Sequence, residues 1–192
     1  MATIKILVIP GSLRIGSINV KLAKAAVDEF ARADIEVSLL SLGDYPLPIY
    51  DGDLEDKSGV PLHAINLKRM ICAHDGVLIV TPEYNSSLPP LLKNAIDWVT
   101  RVEERGESQG PVFRGRPFAI AAASEGKLGG TRGLAALRLI LSSCRALVIP
   151  NQLALSFADQ AYDDRDRLKH DADKAALKEL ALQLIDVAQQ LK

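Results

Sequence analysis

The stretch GVLIVTPEYNSSLPPLLKNAIDW, residues 76–98, joins a short apolar run to an amphipathic pattern through a turn of unusual composition. The run GVLIV is continuous and apolar, which is typical of a strand buried on both faces of a parallel sheet. After the turn, apolar residues return at three- and four-residue spacing, which predicts a helix that begins near Pro89. The stretch therefore predicts one strand-turn-helix unit of an α/β fold.

Apolar runs of the same kind recur along the whole chain, and each is separated from the next by helical periodicity or by a long loop. The predicted strands cover residues 3–9, 35–40, 76–81, 117–123 and 146–150. Strands that alternate with helices in this way predict a three-layer, doubly wound α/β domain. For five parallel strands we expect the order 2-1-3-4-5, in a single domain over residues 1–192.

The turns after strands 1, 3 and 4 are expected to meet at the carboxyl edge of this sheet, where such folds bind ligands. The first of them, GSLRIGSIN, precedes a helix whose N-terminal N–H groups attract an anion. Ser12, Ser17 and Asn19 add hydrogen-bond donors, and Arg14 adds a guanidinium. The turn lacks the GK[ST] end of a P-loop and a third glycine, so a single phosphate fits best. The alternative is that Ser17 or Asn19 only caps the helix, with Arg14 in solvent.

The other two turns suit a planar heterocycle. The turn TPEYN, residues 81–85, offers an extended backbone, a carboxylate, an aromatic ring and an amide. The turn SEGKLGGTRG, residues 124–133, has four glycines, which allow positive φ angles and close approach of a flat ring. Together with a phosphate site, these features predict a phosphorylated flavin. For Glu83 we expect a structural role or a place at the edge of the ring, and the alternative is a general acid. For Tyr84 the alternative is packing in the core.

The motifs GSLRIGSIN, PEYNSSLPPLLKNAIDW and SEGKLGG, in this order and spacing, closely resemble the NAD(P)H-dependent FMN reductase family of flavodoxin-like proteins, in particular its bacterial quinone and chromate reductase branch. The resemblance implies a noncovalent FMN, reduced by NADPH or NADH and oxidised by small acceptors such as quinones or chromate. It places the phosphate near Ser12, Arg14, Ser17 and Asn19, and the isoalloxazine near Pro82, Glu83, Tyr84, Asn85, Ser124 and Gly126. The chemistry would occur on the flavin, without a catalytic side chain or a metal. One departure is that Ser86, Ser87 and Pro90 stand where many relatives have small residues and glycine.

Composition limits the other possibilities. The net charge of -1, from 23 basic and 24 acidic residues, predicts no nucleic-acid partner. It also argues against a flavodoxin-type electron carrier, since such carriers have a strongly acidic surface. A regulatory module that uses a flavin site as a signal is the second alternative. With no signal peptide or long apolar segment in the sequence, we expect a cytoplasmic protein without a membrane partner.

Cysteines and histidines give no sign of a metal centre. Cys72 and Cys144 lie in predicted helices among apolar residues, and we expect both to be buried thiols. His63, His74 and His170 have no spacing that would put two of them on one helix face, so we expect no metal site.

The predicted helix near Pro89 has an apolar arc wider than packing on one sheet requires. The long stretch 103–117 could cover the surplus, or the same helix of a second subunit could do so. We favour the second explanation, partly because the family resemblance implies a homodimer or homotetramer. The stretches 103–117 and 44–61 both read as irregular, and loops of this length are usually functional, involved in assembly, or mobile at the surface.

Overall fold

The computed structural model describes residues 3–104 and 112–192. Its sheet contains five parallel strands in the order β2-β1-β3-β4-β5, so the predicted topology is confirmed. The strands are β1 (Lys5–Pro10), β2 (Glu36–Leu39), β3 (Gly76–Val80), β4 (Pro117–Ala123) and β5 (Leu147–Leu155). Every residue of β3 and β4 is buried, which explains why their sequences are continuous apolar runs.

Helices cover both faces of the sheet and complete three layers. The helices are α1 (Ile18–Arg32), α2 (Gly52–Ser58), α3 (Leu62–Cys72), α4 (Pro90–Thr100), α5 (Thr131–Ser143) and α6 (Asp171–Gln190). Buried side chains of α1 and α6 share one apolar cluster with the sheet. Those of α3, α4 and α5 share the cluster on the opposite face.

Strand β5 is longer than predicted because it contains a bulge. Phe118 pairs with Val148, whereas Ile120 pairs with Gln152, so two steps along β4 match four along β5. The bulge contains Pro150, which has no N–H to give to a ladder and would ordinarily end a strand. The strand prediction that stopped at residue 150 was therefore wrong.

Side chains from both helical layers satisfy the backbone of this bulge. The guanidinium of Arg138 on α5 donates to the carbonyls of Ile149, at 2.9 Å, and Pro150, at 3.3 Å. From α6, the Gln183 amide oxygen accepts from the N–H of Asn151 at 3.0 Å. These side chains thus replace ladder hydrogen bonds that the bulge interrupts.

The surplus apolar arc of α4 is covered by the same chain. Trp98 is fully buried, and its indole N–H donates to the carbonyl of Pro48 at 2.7 Å. The Asn94 amide also donates to Pro48 and accepts from the N–H of Tyr50, both at 2.8 Å. The Tyr50 ring meets the indole edge-on, with centroids 5.0 Å apart. The stretch 44–61 was predicted to be irregular. In the structure it contains α2 and packs on α4.

The stretch 103–117 contributes to the same cover. Val112 and Phe113 are buried in the cluster that includes Leu92 and Val99 of α4. Residues 105–111 of this stretch lie outside the described part of the chain. Of the two explanations for the wide arc of α4, the structure therefore supports cover by the chain itself and not the second subunit that we favoured from the sequence. This result leaves the oligomeric state untested.

The two cysteines differ in environment. Cys72, the last residue of α3, is exposed, so its predicted burial was wrong. Cys144, the C-cap residue that follows α5, is half-buried, and this burial raises the pKa of its thiol. Among residues 3–104 and 112–192, no helix has the length and apolar character to cross a membrane.

Candidate functional site

The three predicted turns come together at the carboxyl edge of the sheet. The N–H of Gly11 donates to the carbonyl of Val80 at 2.8 Å, which joins the turn after β1 to the end of β3. A side chain at Gly11 would meet Thr81 and Leu92 at 3.2 Å, so only glycine fits this approach comfortably. The turns after β3 and β4 are joined by Glu83, as described below.

The helix α1 begins with an open N-terminus. Ser17 is its N-cap residue, but the Ser17 side chain makes no capping hydrogen bond, and the first turn contains no acidic residue. Ser12 and Ser17 are buried beside it, and Arg14 is exposed. The alternative in which the Ser17 side chain caps the helix is not observed. The N–H groups and the dipole at a helix N-terminus attract anions, so this end of α1 has the features that a phosphate requires.

Asn19 has a structural role in addition to any contact with a ligand. Its side-chain amide donates to the carbonyl of Ala123 at 2.9 Å and accepts from the N–H of Ala123 at 2.8 Å. This pair of buried hydrogen bonds fastens the first turn of α1 to the end of β4. The polar groups of the Asn19 side chain are thus turned toward the main chain of the protein.

The N-terminus of α5, by contrast, is occupied by a carboxylate of the protein. One oxygen of Glu83 accepts from the N–H of Gly133 at 3.0 Å, and the other accepts from Arg132 Nε at 2.8 Å. Burial acts to raise the pKa of the Glu83 carboxyl, but the Gly133 and Arg132 hydrogen bonds outweigh it and lower that pKa. Glu83 therefore holds the turn after β3 against the first turn of α5. This contact is lost as the pH falls through the lowered pKa.

The turn after β3 closes as a two-residue hairpin that presents Tyr84. Tyr84 and Ser87 exchange backbone hydrogen bonds, both of 3.0 Å. Asn85 and Ser86 have φ angles of 51° and 65°, the left-handed values of a type I′ turn. The departure at Ser86 thus leaves the turn intact. Tyr84 is 50% exposed, so the alternative that it packs in the core was wrong.

The glycines of the turn after β4 serve mainly the packing of the protein itself. A Cβ at Gly129 would lie 2.7 Å from the carbonyl of Ala154, and one at Gly130 would lie 2.7 Å from Ala122 Cβ. Both residues also have positive φ angles. Only Gly126 faces open space, with Ser124 Oγ its nearest neighbour at 3.7 Å. The expectation that all four glycines accommodate a flat ring was therefore too broad.

A fourth turn, after β5, also belongs to this edge. The N–H of Ser124 donates to the carbonyl of Leu155, and the N–H of Ala158 donates to the carbonyl of Ser124, both at 3.0 Å. Sequence reasoning missed this turn because it ended β5 at Pro150. An apolar run that resumes after the proline, LALSF at residues 153–157, was the available signal.

Comparison with known proteins identifies the class to which this architecture belongs. Residues 4–160 match the family model of NADPH-dependent FMN reductases. A quinone reductase of Escherichia coli (strain K12) is 39% identical over 147 residues, which cover 76% of this chain and 73% of the relative. An NAD(P)H-dependent FMN reductase of Pseudomonas aeruginosa is 34% identical over 185 residues, with 94% of each chain covered.

A solved structure gives the same answer. The flavoenzyme FerB of Paracoccus denitrificans, an NAD(P)H:(acceptor) oxidoreductase, aligns with a TM-score of 0.82 and 30% identity over 98% of both chains. The chain belongs to the NADPH-dependent FMN reductase family. It is an oxidoreductase with FMN as its cofactor and NAD(P)H as its electron donor, and its fold is flavodoxin-like.

Proposed function

We propose that this enzyme binds FMN across the carboxyl edge of its sheet and passes electrons from NAD(P)H to quinones. The observation that carries the proposal is the contrast between two helix N-termini. That of α1 is open, whereas that of α5 is filled by Glu83. A phosphate-bearing ligand at this edge therefore has its anchor at the turn after β1. Quinone as acceptor is supported by the names of the Escherichia coli and Burkholderia relatives.

The residues of the chain would bind and orient the cofactor, which supplies the hydride and electron transfer when bound. Arg14 and the hydroxyls of Ser12 and Ser17 would hold the phosphate, together with N–H groups of α1 that include that of Asn19. The ring would lie among Pro82, Tyr84, Asn85, Ser124 and Gly126. Glu83 would act indirectly, by fixing the turns on both sides of the ring.

An absorption spectrum of the purified protein tests the proposal. We expect flavin bands that bleach when NADPH is added without oxygen and return when 2-methyl-1,4-naphthoquinone follows. A protein that neither contains nor binds FMN would support the regulatory module instead. A bound flavin that NADPH cannot reduce would support the electron carrier.

Replacing Arg14 by alanine should weaken FMN binding about 10- to 100-fold. A charge-assisted hydrogen bond contributes on the order of 1.5–3 kcal/mol, and about 1.4 kcal/mol corresponds to a tenfold change in affinity. Titration of the apoprotein, followed by flavin fluorescence, measures the loss. Arg32→Ala is the matched control, because Arg32 is an exposed arginine in the last turn of α1, at the far end of the helix from the turn that contains Arg14. If Arg14→Ala and Arg32→Ala bind FMN equally well, Arg14 does not contact the phosphate.

We also propose that the protein forms a homodimer or homotetramer. Because the chain itself covers α4, this proposal is supported by the family resemblance alone. The cytoplasmic location and the single domain over residues 1–192 stay predictions. The choice between NADPH and NADH and the use of chromate are open to direct assay.

A further inference from the structure

Phe157, in the turn after β5, combines two unfavourable features. Its φ angle is 48°, in the left-handed region that bulky side chains avoid. Its side chain is also exposed, at 53% of the accessible surface of the residue. Glycine or asparagine would adopt this backbone with less strain, and a polar residue would be better solvated. Neither backbone conformation nor core packing therefore accounts for phenylalanine at this position.

The hydrogen bonds around Phe157 hold its backbone in place. The Ser156 hydroxyl donates to the carbonyl of Lys127 at 2.7 Å, and the N–H of Gln160 donates to the carbonyl of Phe157 at 3.0 Å. On the other side, the N–H of Ala158 is bonded to Ser124, as described above. Strained residues persist where neighbouring contacts fix them, and such positions cluster at functional sites.

The surroundings of Phe157 indicate what kind of ligand this position would contact. Strands β3, β4 and β5 are neighbours in the sheet, and the turn after each presents one half-exposed apolar side chain. These are Tyr84, Leu128 and Phe157, with exposures of 50%, 53% and 53%. Phe157 lies between Leu155 and Ala158, the two residues that bond to Ser124. Ser124 is in turn the nearest neighbour of the open position at Gly126. Exposed apolar side chains on three neighbouring turns fit a flat aromatic molecule better than an inorganic anion.

We propose that Phe157 contacts the electron acceptor and gives the enzyme its preference for apolar, planar acceptors. The inference rests on the proposed function and adds no chemical step to it. The aromatic ring stabilises the bound acceptor, whereas FMN binding and the reaction with NADPH are independent of it.

Phe157→Asn tests the proposal, because asparagine tolerates the left-handed backbone and lacks the ring. With FMN-loaded protein, kcat/KM for 2-methyl-1,4-naphthoquinone should fall about 3- to 10-fold through a higher KM. The Kd of 2-naphthol, a planar ring that accepts no electrons, should rise by a similar factor. Turnover with ferricyanide, FMN affinity and Tm should not fall. Phe157→Tyr keeps the ring and should behave like the parent.

Leu182→Ala is the control, since Leu182 is an equally exposed apolar residue on α6 and should leave every value unchanged. The proposal is overturned if Phe157→Asn uses the naphthoquinone and binds 2-naphthol as the parent does. If Phe157→Asn loses FMN, Phe157 contacts the cofactor. If the variant has a lower mass in light scattering, Phe157 contacts another subunit. Either result also overturns the proposal. If the parent protein does not reduce the quinone, the proposed function itself is refuted. This outcome is distinguishable, because the parent is measured in the same assay as the variants.

Discussion

Replacing Trp98 by alanine is expected to lower the free energy of unfolding by about 3–5 kcal/mol. The indole is fully buried between α4 and the docked segment 44–61, and its removal leaves a cavity there. The carbonyl of Pro48 also loses its closest donor, although Asn94 still reaches it. Urea unfolding at neutral pH measures the change.

Trp98→Phe is the matched variant, because it keeps an aromatic ring and removes only the indole donor and part of the volume. Its loss should be smaller, on the order of 1–2 kcal/mol. Because the contacts come from the same chain, the difference between Trp98→Ala and Trp98→Phe should not depend on protein concentration. A dependence on concentration, or a loss under about 1 kcal/mol for Trp98→Ala, would mean that the segment 44–61 is not docked as described.

Replacing Glu104 by alanine should lower the free energy of unfolding by on the order of 3 kcal/mol, because it removes a partner of a buried charge. Lys68 is fully buried on α3, and its ammonium lies 3.6 Å from a carboxylate oxygen of Glu104. Urea unfolding of the variant and the parent gives the difference.

Lys68→Met should be milder than Glu104→Ala, at roughly 1 kcal/mol or less, although it breaks the same ion pair. It removes the buried charge itself, and Glu104 keeps its hydrogen bond from Arg69 Nε at 3.0 Å. Glu104 is also partly exposed, so water can solvate its carboxylate. The order of the two losses is the prediction, and equal or reversed losses would contradict this account of the ion pair.

The topology could be predicted from the sequence because strands buried on both faces must be apolar along their whole length. The segment 44–61 could not, since α2 has no buried residue and therefore no apolar stripe to mark it. Its docking depends on Trp98 and Asn94, which lie far away in the sequence. The extension of β5 past Pro150 was missed for the same reason, because Arg138 and Gln183 on other elements make it possible.

At the candidate site, the sequence indicated where the turns meet but not what each polar side chain binds. The amide of Asn19 and the carboxylate of Glu83 can bond a ligand or the main chain equally well, and composition does not distinguish these outcomes. In the structure Asn19 bonds the main chain, and Glu83 bonds the main chain and the Arg132 side chain. Phe157 escaped notice because its backbone angle and its exposure are properties of the folded chain.

The bulge in β5 also limits how copies of this protein can meet. An open outer strand is ordinarily a template on which another chain can add a strand, which leads to fibrils or continuous sheets. In β5 the carbonyls of Ile149 and Pro150 are already bonded to Arg138, and the N–H of Asn151 is bonded to Gln183. The opposite border, β2, is only four residues long. Growth of the sheet by strand addition is therefore disfavoured at the bulge of β5 and at the short strand β2.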